Sequence, residues 1–379
     1  MQFSTLDHAA MAEALRLAER GLTTTGPNPR VGCVIVREGE VVGRGWHVRA
    51  GEPHAEVFAL REAGERALGA TAYVTLEPCA HTGRTPPCAD ALIAARVARV
   101  VIAVADSNPL VAGQGAQRLR AAGIVVDVGL LEAQARVLNA GFLRRIAGGL
   151  PWLRMKTASS LDGRTAMASG ESQWITGEAA RADVQCWRAR SSAIITGIAS
   201  VLIDDSRLSV RLAGAERQPL RVVLDSQLRL SPQAKLLQEP GTTLVLTRAD
   251  SLSTAGQRLQ LLQRAGAEVK AVATGANGRL CPRAVMRELA KRQCNDVLLE
   301  AGATLNAAFL QAGLVDEWLM YQAPTLLGAS ARPLVSLPME HMSQQRRWAL
   351  QDCRQIGDDM RMILTPVADV AGDPAEKGE

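Results

Sequence analysis

The residues His54-Ala55-Glu56, followed by Pro78-Cys79 and Pro87-Cys88, decide how the first half of this chain is read. One imidazole and two thiolates are three of the four ligands that tetrahedral Zn²⁺ takes, and a catalytic site keeps the fourth position for water. Glu56 lies two residues past His54, near enough to move protons on that water without binding the metal. A lone histidine or cysteine reads as a satisfied core residue. The ordered set, with a proline before each cysteine, has no comparable packing explanation. A non-enzymatic alternative is structural zinc in a binding module, which usually needs four protein ligands; His81 would be the fourth.

Working outward, His54 follows Pro53 at the start of a helix carrying Val57, Leu60 and Ala63. Tyr73 to Leu76 reads as an apolar strand ending at Glu77-Pro78, and Cys88 opens a helix with Leu92 and Ile93. Both metal-binding segments therefore sit at helix N-termini, where free N–H groups and the helix dipole favour thiolates and oxyanions. Upstream, Ser4 and Asp7 form a capping box before an amphipathic helix with Leu6, Ala10, Ala14, Leu17 and Ala18, closed by Gly21. Val31 to Val36 and Val41 to Trp46 make a hairpin around Glu38-Gly39. Val100 to Val104 and Ile124 to Val128 are further strands, each after a helical stretch. Leu131 to Arg145 reads as one helix, broken by Ala147-Gly148-Gly149-Leu150-Pro151. The expected divisions are 1–147, a three-layer α/β/α domain; 148–367, a second α/β domain; and 368–379, a frayed polar tail.

The second half has strands at Trp152 to Thr157, Ala193 to Thr196, Arg221 to Leu224, Thr243 to Leu246, Glu268 to Val272 and Val297 to Leu299. Glu317 to Gln322 and Met360 to Leu364 follow. A helix holds Arg181, Asp183 and Arg188, and another spans Pro282 to Lys291. This alternation implies a separate sheet. No G-x-G-x-x-G is present, so a Rossmann reading has no support. Glu300-Ala301-Gly302-Ala303-Thr304-Leu305 is a glycine turn between a buried strand and a helix. It suits phosphate oxygens on helix N–H groups, but on residues alone an ordinary strand-to-helix connection is the favoured reading.

With 379 residues, 47% of them apolar, the chain can build two or three domains. Its net charge of +5 comes without a Lys/Arg run. That argues against a nucleic-acid partner and suits anionic small molecules. Seven scattered cysteines point to a reducing compartment. Asp7, Glu13 and Glu19 exclude a signal-peptide reading of the start, and no apolar run is long enough to span a bilayer. A cytoplasmic protein with no membrane partner is expected.

The order H-x-E then P-C-x-x-C is the signature of zinc nucleobase deaminases. Here eight residues, Ala80 to Pro87, separate the cysteines where two are usual. That longer spacer, with Pro27-Asn28-Pro29 and Gly51-Glu52-Pro53-His54-Ala55-Glu56, closely resembles the bifunctional deaminase/reductase family of riboflavin biosynthesis. Ser160 to Arg164, Glu171 to Thr176, Val201 to Asp205 and Glu300 to Gly302 resemble the reductase half of the same family. The likeness spans nearly the whole chain, with the motifs in matching order.

The resemblance implies a cytidine-deaminase-like domain followed by a dihydrofolate-reductase-like domain, one Zn²⁺ per chain, NADPH, and homo-oligomers formed through the reductase half. The first domain would deaminate 2,5-diamino-6-(5-phosphoribosylamino)pyrimidin-4(3H)-one at its 2-amino group. The second would reduce the ribosyl unit to ribityl by hydride transfer to C1′. His54, Cys79 and Cys88 would hold the metal and Glu56 would shuttle protons. Ala158, Trp174, Ser200, Asp204, Ser226, Gly302, Ala303, Thr304, Leu305, Asn306, Ala307 and Ala308 would touch NADPH. Ser172, Arg188, Leu208, Arg211 and Glu300 would contact the phosphorylated substrate. Asn28, between two prolines, is a pyrimidine contact or a turn former. Arg84 is a phosphate contact or a solvated side chain, and His47 and His81 could line the same pocket. The stretch from Arg211 to Arg221 is short for a substrate-closing segment. A tRNA base deaminase, the rival enzyme, would need a basic face that this sequence lacks. No proton donor for the reductase step stands out.

Overall fold

The Ser4–Asp7 pair forms the capping box that the sequence implies. Asp7 N–H donates to Ser4 Oγ at 3.1 Å and Ser4 N–H donates to Asp7 Oδ2 at 2.8 Å, starting α1 (Thr5–Glu19). This computed structural model describes residues 2–80, 87–107 and 112–367. They divide into two units. The first runs to Pro151 and includes Gln293–Asn295; the second takes Trp152–Arg292 and the chain from Asp296 onward.

In the first unit, α1 is followed by β1 (Gly32–Arg37), β2 (Glu40–Trp46), α2 (Ala55–Ala63), β3 (Thr71–Val74), α3 (Cys88–Ala94), β4 (Arg99–Ile102), α4 (Gln114–Ala121) and β5 (Val125–Val128). The strand order is β2-β1-β3-β4-β5. The first three strands are antiparallel neighbours, and β3, β4 and β5 run parallel. A Cβ on Gly32 would strike Ala14 O of α1 at 1.9 Å, and one on Gly45 would strike Ala55 O of α2 at 2.1 Å. Cys33, not Gly32, is the ladder partner of Gly45, so the two helices cover opposite faces of the sheet. A buried polar network ties the layers together. Tyr73 Oη donates to Asp7 Oδ1 at 2.8 Å, and Arg99 donates to Asp7 at 2.6 Å and to Asp127 at 2.7 Å.

The helix expected over Leu131 to Arg145 is two helices, α5 (Glu132–Leu138) and α6 (Ala140–Ile146). Asn139 interrupts them at φ −117°. Its buried amide accepts from Arg30 N–H at 2.9 Å and donates to Arg30 O at 2.8 Å, a long-range pairing that local periodicity does not reveal.

The second unit contains β6 (Trp152–Ser159), β7 (Arg164–Ala166), α7 (Glu178–Ala189), β8 (Ala193–Gly197), α8 (Ile198–Asp204), β9 (Leu220–Leu224), α9 (Lys235–Gln238), β10 (Thr243–Thr247), α10 (Ala249–Thr254), α11 (Gln257–Arg264), β11 (Ala267–Ala271) and α12 (Pro282–Lys291). It continues with β12 (Asp296–Glu300), α13 (Ala303–Gln311), β13 (Glu317–Gln322), β14 (Arg332–Pro333), β15 (Trp348–Ile356) and β16 (Asp359–Pro366). Its main sheet is ordered β11-β10-β9-β8-β12-β6-β13-β16-β15. It is parallel from β11 to β13, with an antiparallel hairpin, β16-β15, at one edge. β15, absent from the sequence reading, is a mostly exposed strand whose polar residues hide its pairing.

The direction in which the chain adds strands reverses between the parallel neighbours β8 and β12. From β8 the chain moves on to β9, and from β12 it crosses β6 to β13. A crevice outside the carboxyl ends of strands at such a reversal is where open α/β sheets take ligands. Among the described residues, no helix is long and apolar enough to cross a membrane.

Candidate active sites

His54 is the N-cap of α2 and Cys88 is the first residue of α3, so both helix starts converge on the turn that carries Cys79. His54 Nδ1 lies 3.2 Å from Cys88 Sγ and 3.6 Å from Cys79 Sγ, and the three ligand atoms all fall within 4.8 Å of one another. Tetrahedral zinc with these donors spaces them by about 3.5 Å. The set fits the ion. Cys88 N–H donates to Cys79 Sγ at 3.3 Å. The Cys79 thiol is lowered to about 4, chiefly by the hydrogen bond it accepts from Cys88, with His54 adding to the effect against burial. The bond with Cys79 also raises the His54 pKa.

Glu56 stands beside this set, 3% exposed, with Oε2 unpartnered among the described residues. Burial raises its pKa, and the nearby His54 only partly opposes that. His47 is also buried, with Nε2 3.1 Å from Asn28 Nδ2, Nδ1 3.2 Å from Pro53 O and its ring edge-on to His54 at 5.4 Å. Asn28 is thus held at the metal cluster through His47. Arg84 and His81 lie outside the described residues.

Helix α4 braces the two cysteine turns. The buried Glu77 carboxylate accepts N–H bonds from Asp106, Gly113 and Ala116 at 3.0, 3.1 and 3.0 Å. A Cβ on Gly115 would sit 2.0 Å from Pro78 O, so the helix meets the turn backbone to backbone. Arg118 Nη1 donates to Ala80 O at 3.1 Å, one residue after Cys79. The same guanidinium donates to both Asp90 oxygens, at 2.6 and 2.8 Å, two residues after Cys88.

In the second unit, the structure joins Arg188 to Glu300, at the carboxyl end of β12, and Ser172 to Asp204. Arg188 of α7 donates through Nε and Nη2 to the two oxygens of Glu300 at 2.7 and 2.8 Å, and through Nη1 to Ser209 O at 3.2 Å. Burial pushes the Glu300 pKa up, but Arg188, then Lys156 and Arg211, bring it below its ordinary value. Lys156 pairs with Glu300 across β6 and β12, and its own pKa is lowered by burial. Arg211 is exposed, with its backbone fixed by Gln185. Leu208 is buried in a left-handed conformation at φ 50°. Ser172 Oγ reaches Asp204 Oδ1 at 3.5 Å, and Arg181 stacks on the exposed Trp174 at 4.5 Å.

Gly302 caps α13 with open space where a side chain would stand. Thr304 is exposed and Ala303, Leu305 and Ala308 are half-buried. Asn306 and Ala307 face inward, and Asn306 Nδ2 donates to Ala301 O at 3.1 Å. Ala158, Ser200 and Ser226 are half-buried at the ends of β6, in α8 and after β9.

Comparison with known proteins gives this layout its family. The zinc-binding region of cytidine and deoxycytidylate deaminases matches residues 4–104, and the RibD C-terminal domain matches 151–362. The riboflavin biosynthesis protein RibD of Escherichia coli K12 is 51% identical over 372 residues, covering 94% of this chain and 99% of that one. The chain belongs to the RibD family. The RibD of Haemophilus influenzae is 46% identical over 379 residues, covering 97% and 99% of the two chains. The solved structure of Acinetobacter baumannii RibD superposes with a TM-score of 0.88 at 51% identity, covering 96% and 99%. The deaminase/reductase of Thermotoga maritima gives 0.84 at 29% identity over the same shares.

The protein is therefore an enzyme of two halves, a zinc-binding deaminase and an NADPH-dependent reductase, as this RibD-family likeness implies. Sequence reasoning missed Glu77, Arg118 and Lys156. Glu77 had a signal, since it is a lone charge after a largely apolar run and directly precedes Pro78-Cys79. Lys156 was the charged residue facing Glu300 across two adjacent parallel strands, a relation visible only once the strand order is known.

Proposed function

We propose that the first unit deaminates 2,5-diamino-6-(5-phosphoribosylamino)pyrimidin-4(3H)-one at the 2-amino group, and that the second reduces the product's ribosyl group to ribityl with NADPH. The reading is supported above all by the approach of His54 Nδ1 and two cysteine Sγ atoms beside the buried, unpartnered Glu56 Oε2. His54, Cys79 and Cys88 would hold zinc, which when bound lowers the pKa of water enough to supply a nucleophile near neutral pH. Glu56 takes one proton from that water and gives it to the ring nitrogen, then takes the second from the new hydroxyl and gives it to the departing amine, which leaves as ammonia. A raised pKa suits a group that both takes and returns protons. Asn28, oriented by His47, offers its amide to the pyrimidine edge.

In the second unit, NADPH supplies the hydride. Gly302 to Ala308, with Ala158, Trp174, Ser200, Asp204 and Ser226, line the crevice that would hold it. Because Arg188 is committed to Glu300 and Ser209, Arg211 is the exposed cation left to meet the substrate phosphate, with Lys156 deeper in the cleft. Ser172 and Leu208 complete the substrate wall. The enzyme's main work here is to align cofactor and sugar carbon. We also place the protein in the cytoplasm, consistent with seven free cysteines. Homo-oligomers would form through the second unit, where β15 leaves a sheet edge open.

The test is to supply the diaminopyrimidine phosphate with and without NADPH and weigh the products. Amine loss without cofactor, then a gain of two hydrogens with it, is the expected result. Hydride uptake by the undeaminated substrate at full rate would overturn the order of steps.

A further inference from the structure

Between β6 and β7 the chain turns through Ser160-Leu161-Asp162-Gly163, and this turn is stitched to a distant strap, residues 323–336. Ala323 N–H donates to Ser159 O and Leu161 N–H to Thr325 O, both at 2.8 Å. Farther along, Leu334 N–H donates to Gly163 O at 3.0 Å, and β14 pairs with β7 through Arg332 and Ala166. Arg164 Nη1 and Thr165 Oγ1 add longer bonds to Ala331 O and Pro333 O, at 3.4 and 3.3 Å. The Asp162 carboxylate sits in the middle of this seam. Its Oδ1 accepts from Ser160 Oγ at 2.5 Å and from Leu327 N–H at 3.2 Å, and its Oδ2 accepts from Gly328 N–H at 2.8 Å. The Ser160 hydroxyl above all, then the two N–H groups, lower its pKa to about 2. The carboxylate is therefore charged near neutral pH, which strengthens the bonds it accepts.

Apolar packing does little to hold the strap. Of residues 324–340 only Ala331 is buried, so burial of apolar surface cannot fix its course. Yet the strap reaches both groups of residues on which the reductase reading draws. Ser336 N–H donates to Ala303 O at 3.3 Å, at the first residue of α13 and inside the turn assigned to NADPH. The Arg332 guanidinium lies so near Gly170 that a Cβ there would stand 2.9 Å from Nη2, just ahead of Ser172 and Trp174 in the chain.

We propose that Asp162 is a positioning residue for the reduction step, fixing the strap to the β6–β7 turn so that the Ala303 turn and the Ser172 to Trp174 stretch keep one spacing. The carboxylate is spent on backbone donors and acts through them. Without it the strap samples several courses, and the start of α13 follows. Misplacing reacting groups by about 1 Å can cost ~10²-fold in rate. The proposal rests on the assignment of the Gly302 to Ala308 turn to NADPH.

The experiment compares full-length wild type, Asp162→Ala and Asp162→Asn. Amide hydrogen exchange is followed with and without NADPH, alongside kcat and KM for reduction of the deaminated intermediate, the deamination rate and the melting temperature. Asp162→Ala should speed exchange in residues 323–336 while β6 and β12 stay protected. It should lower kcat/KM for NADPH by about 10- to 100-fold, with deamination and melting temperature unchanged. Asp162→Asn, which keeps one acceptor oxygen, should fall between. Saturating NADPH should restore part of the lost protection, because strap and cofactor hold one another reciprocally. Faster exchange with reduction unchanged, or slower reduction with exchange unchanged, would overturn the assignment. So would exchange indifferent to NADPH, or a drop in melting temperature, since the seam would then serve stability alone. A wild type that neither binds NADPH nor reduces the intermediate with it would instead sink the reading on which this rests.

Discussion

Glu56 in the first unit and Glu300 in the second are carboxyls largely shielded from water at the two candidate sites, and their surroundings push them in opposite directions. Glu56 has one oxygen without a partner, and burial raises its pKa. Glu300 is largely removed from water, with its side chain 11% exposed, yet the two-pronged bond from Arg188, with Lys156 and Arg211 behind it, lowers its pKa. Burial alone makes a carboxyl keep its proton, and a matched guanidinium reverses that. The first arrangement suits a group that carries protons. The second suits a fixed negative charge that orders the cations around it.

The largest expected effect breaks the comparison on the Glu56 side. Glu56→Gln should slow deamination by about 10³-fold or more, with zinc content and reduction of the deaminated intermediate unchanged. A rate within tenfold of wild type would remove the proton-carrying role. On the other side, Arg188→Ala strands Glu300 in the interior and should lower the stability of the second unit by about 4 kcal/mol. Denaturation followed by tryptophan fluorescence reads this directly, because Trp46 is the one tryptophan of six before Pro151. A loss under about 1 kcal/mol would mean that Glu300, once alone, behaves as Glu56 does.

Asp7 extends the contrast to pH. Burial raises its pKa, but bonds from Ser4 N–H, Tyr73 and Arg99 outweigh that and hold the carboxyl well below its usual range. Its contribution is therefore full above the unfolded value of about 4 and fades as pH falls toward the folded value. Asp7→Asn should cost about 3 kcal/mol at pH 7. In calorimetric melts the gap from wild type should narrow below pH 4; a constant gap would contradict the account. The smallest effect concerns Arg118. Arg118→Ala should weaken zinc about tenfold in chelator competition. The melting temperature should hardly move, since the Arg118–Asp90 pair is largely exposed.

These two centres also differ in how far they can be read from sequence. His54, Glu56, Cys79 and Cys88 carry rare chemistry within one stretch of chain, so their convergence was legible before any coordinates. The second unit's candidate residues come from β6, α7, α8, β12, α13 and the connections between elements. There the family likeness named the residues, but strand order alone set Lys156 against Glu300. Asn139 and β15 were illegible for another reason. Asn139 stops a helix by bonding Arg30, over a hundred positions away. β15 exposes polar residues that look like any surface loop. The α4 brace was hidden similarly, since Arg118 in isolation is an ordinary surface arginine.

The missing side chain at Gly45 carries a consequence for how this enzyme can fail. Helix α2 rests on bare backbone there, and its start carries both His54, at the N-cap, and Glu56. A single methyl at Gly45 would lift the helix like a shim under one leg of an instrument, taking His54 and Glu56 out of alignment together. Zinc retention and turnover, which Glu56→Gln should separate, would then decline in step.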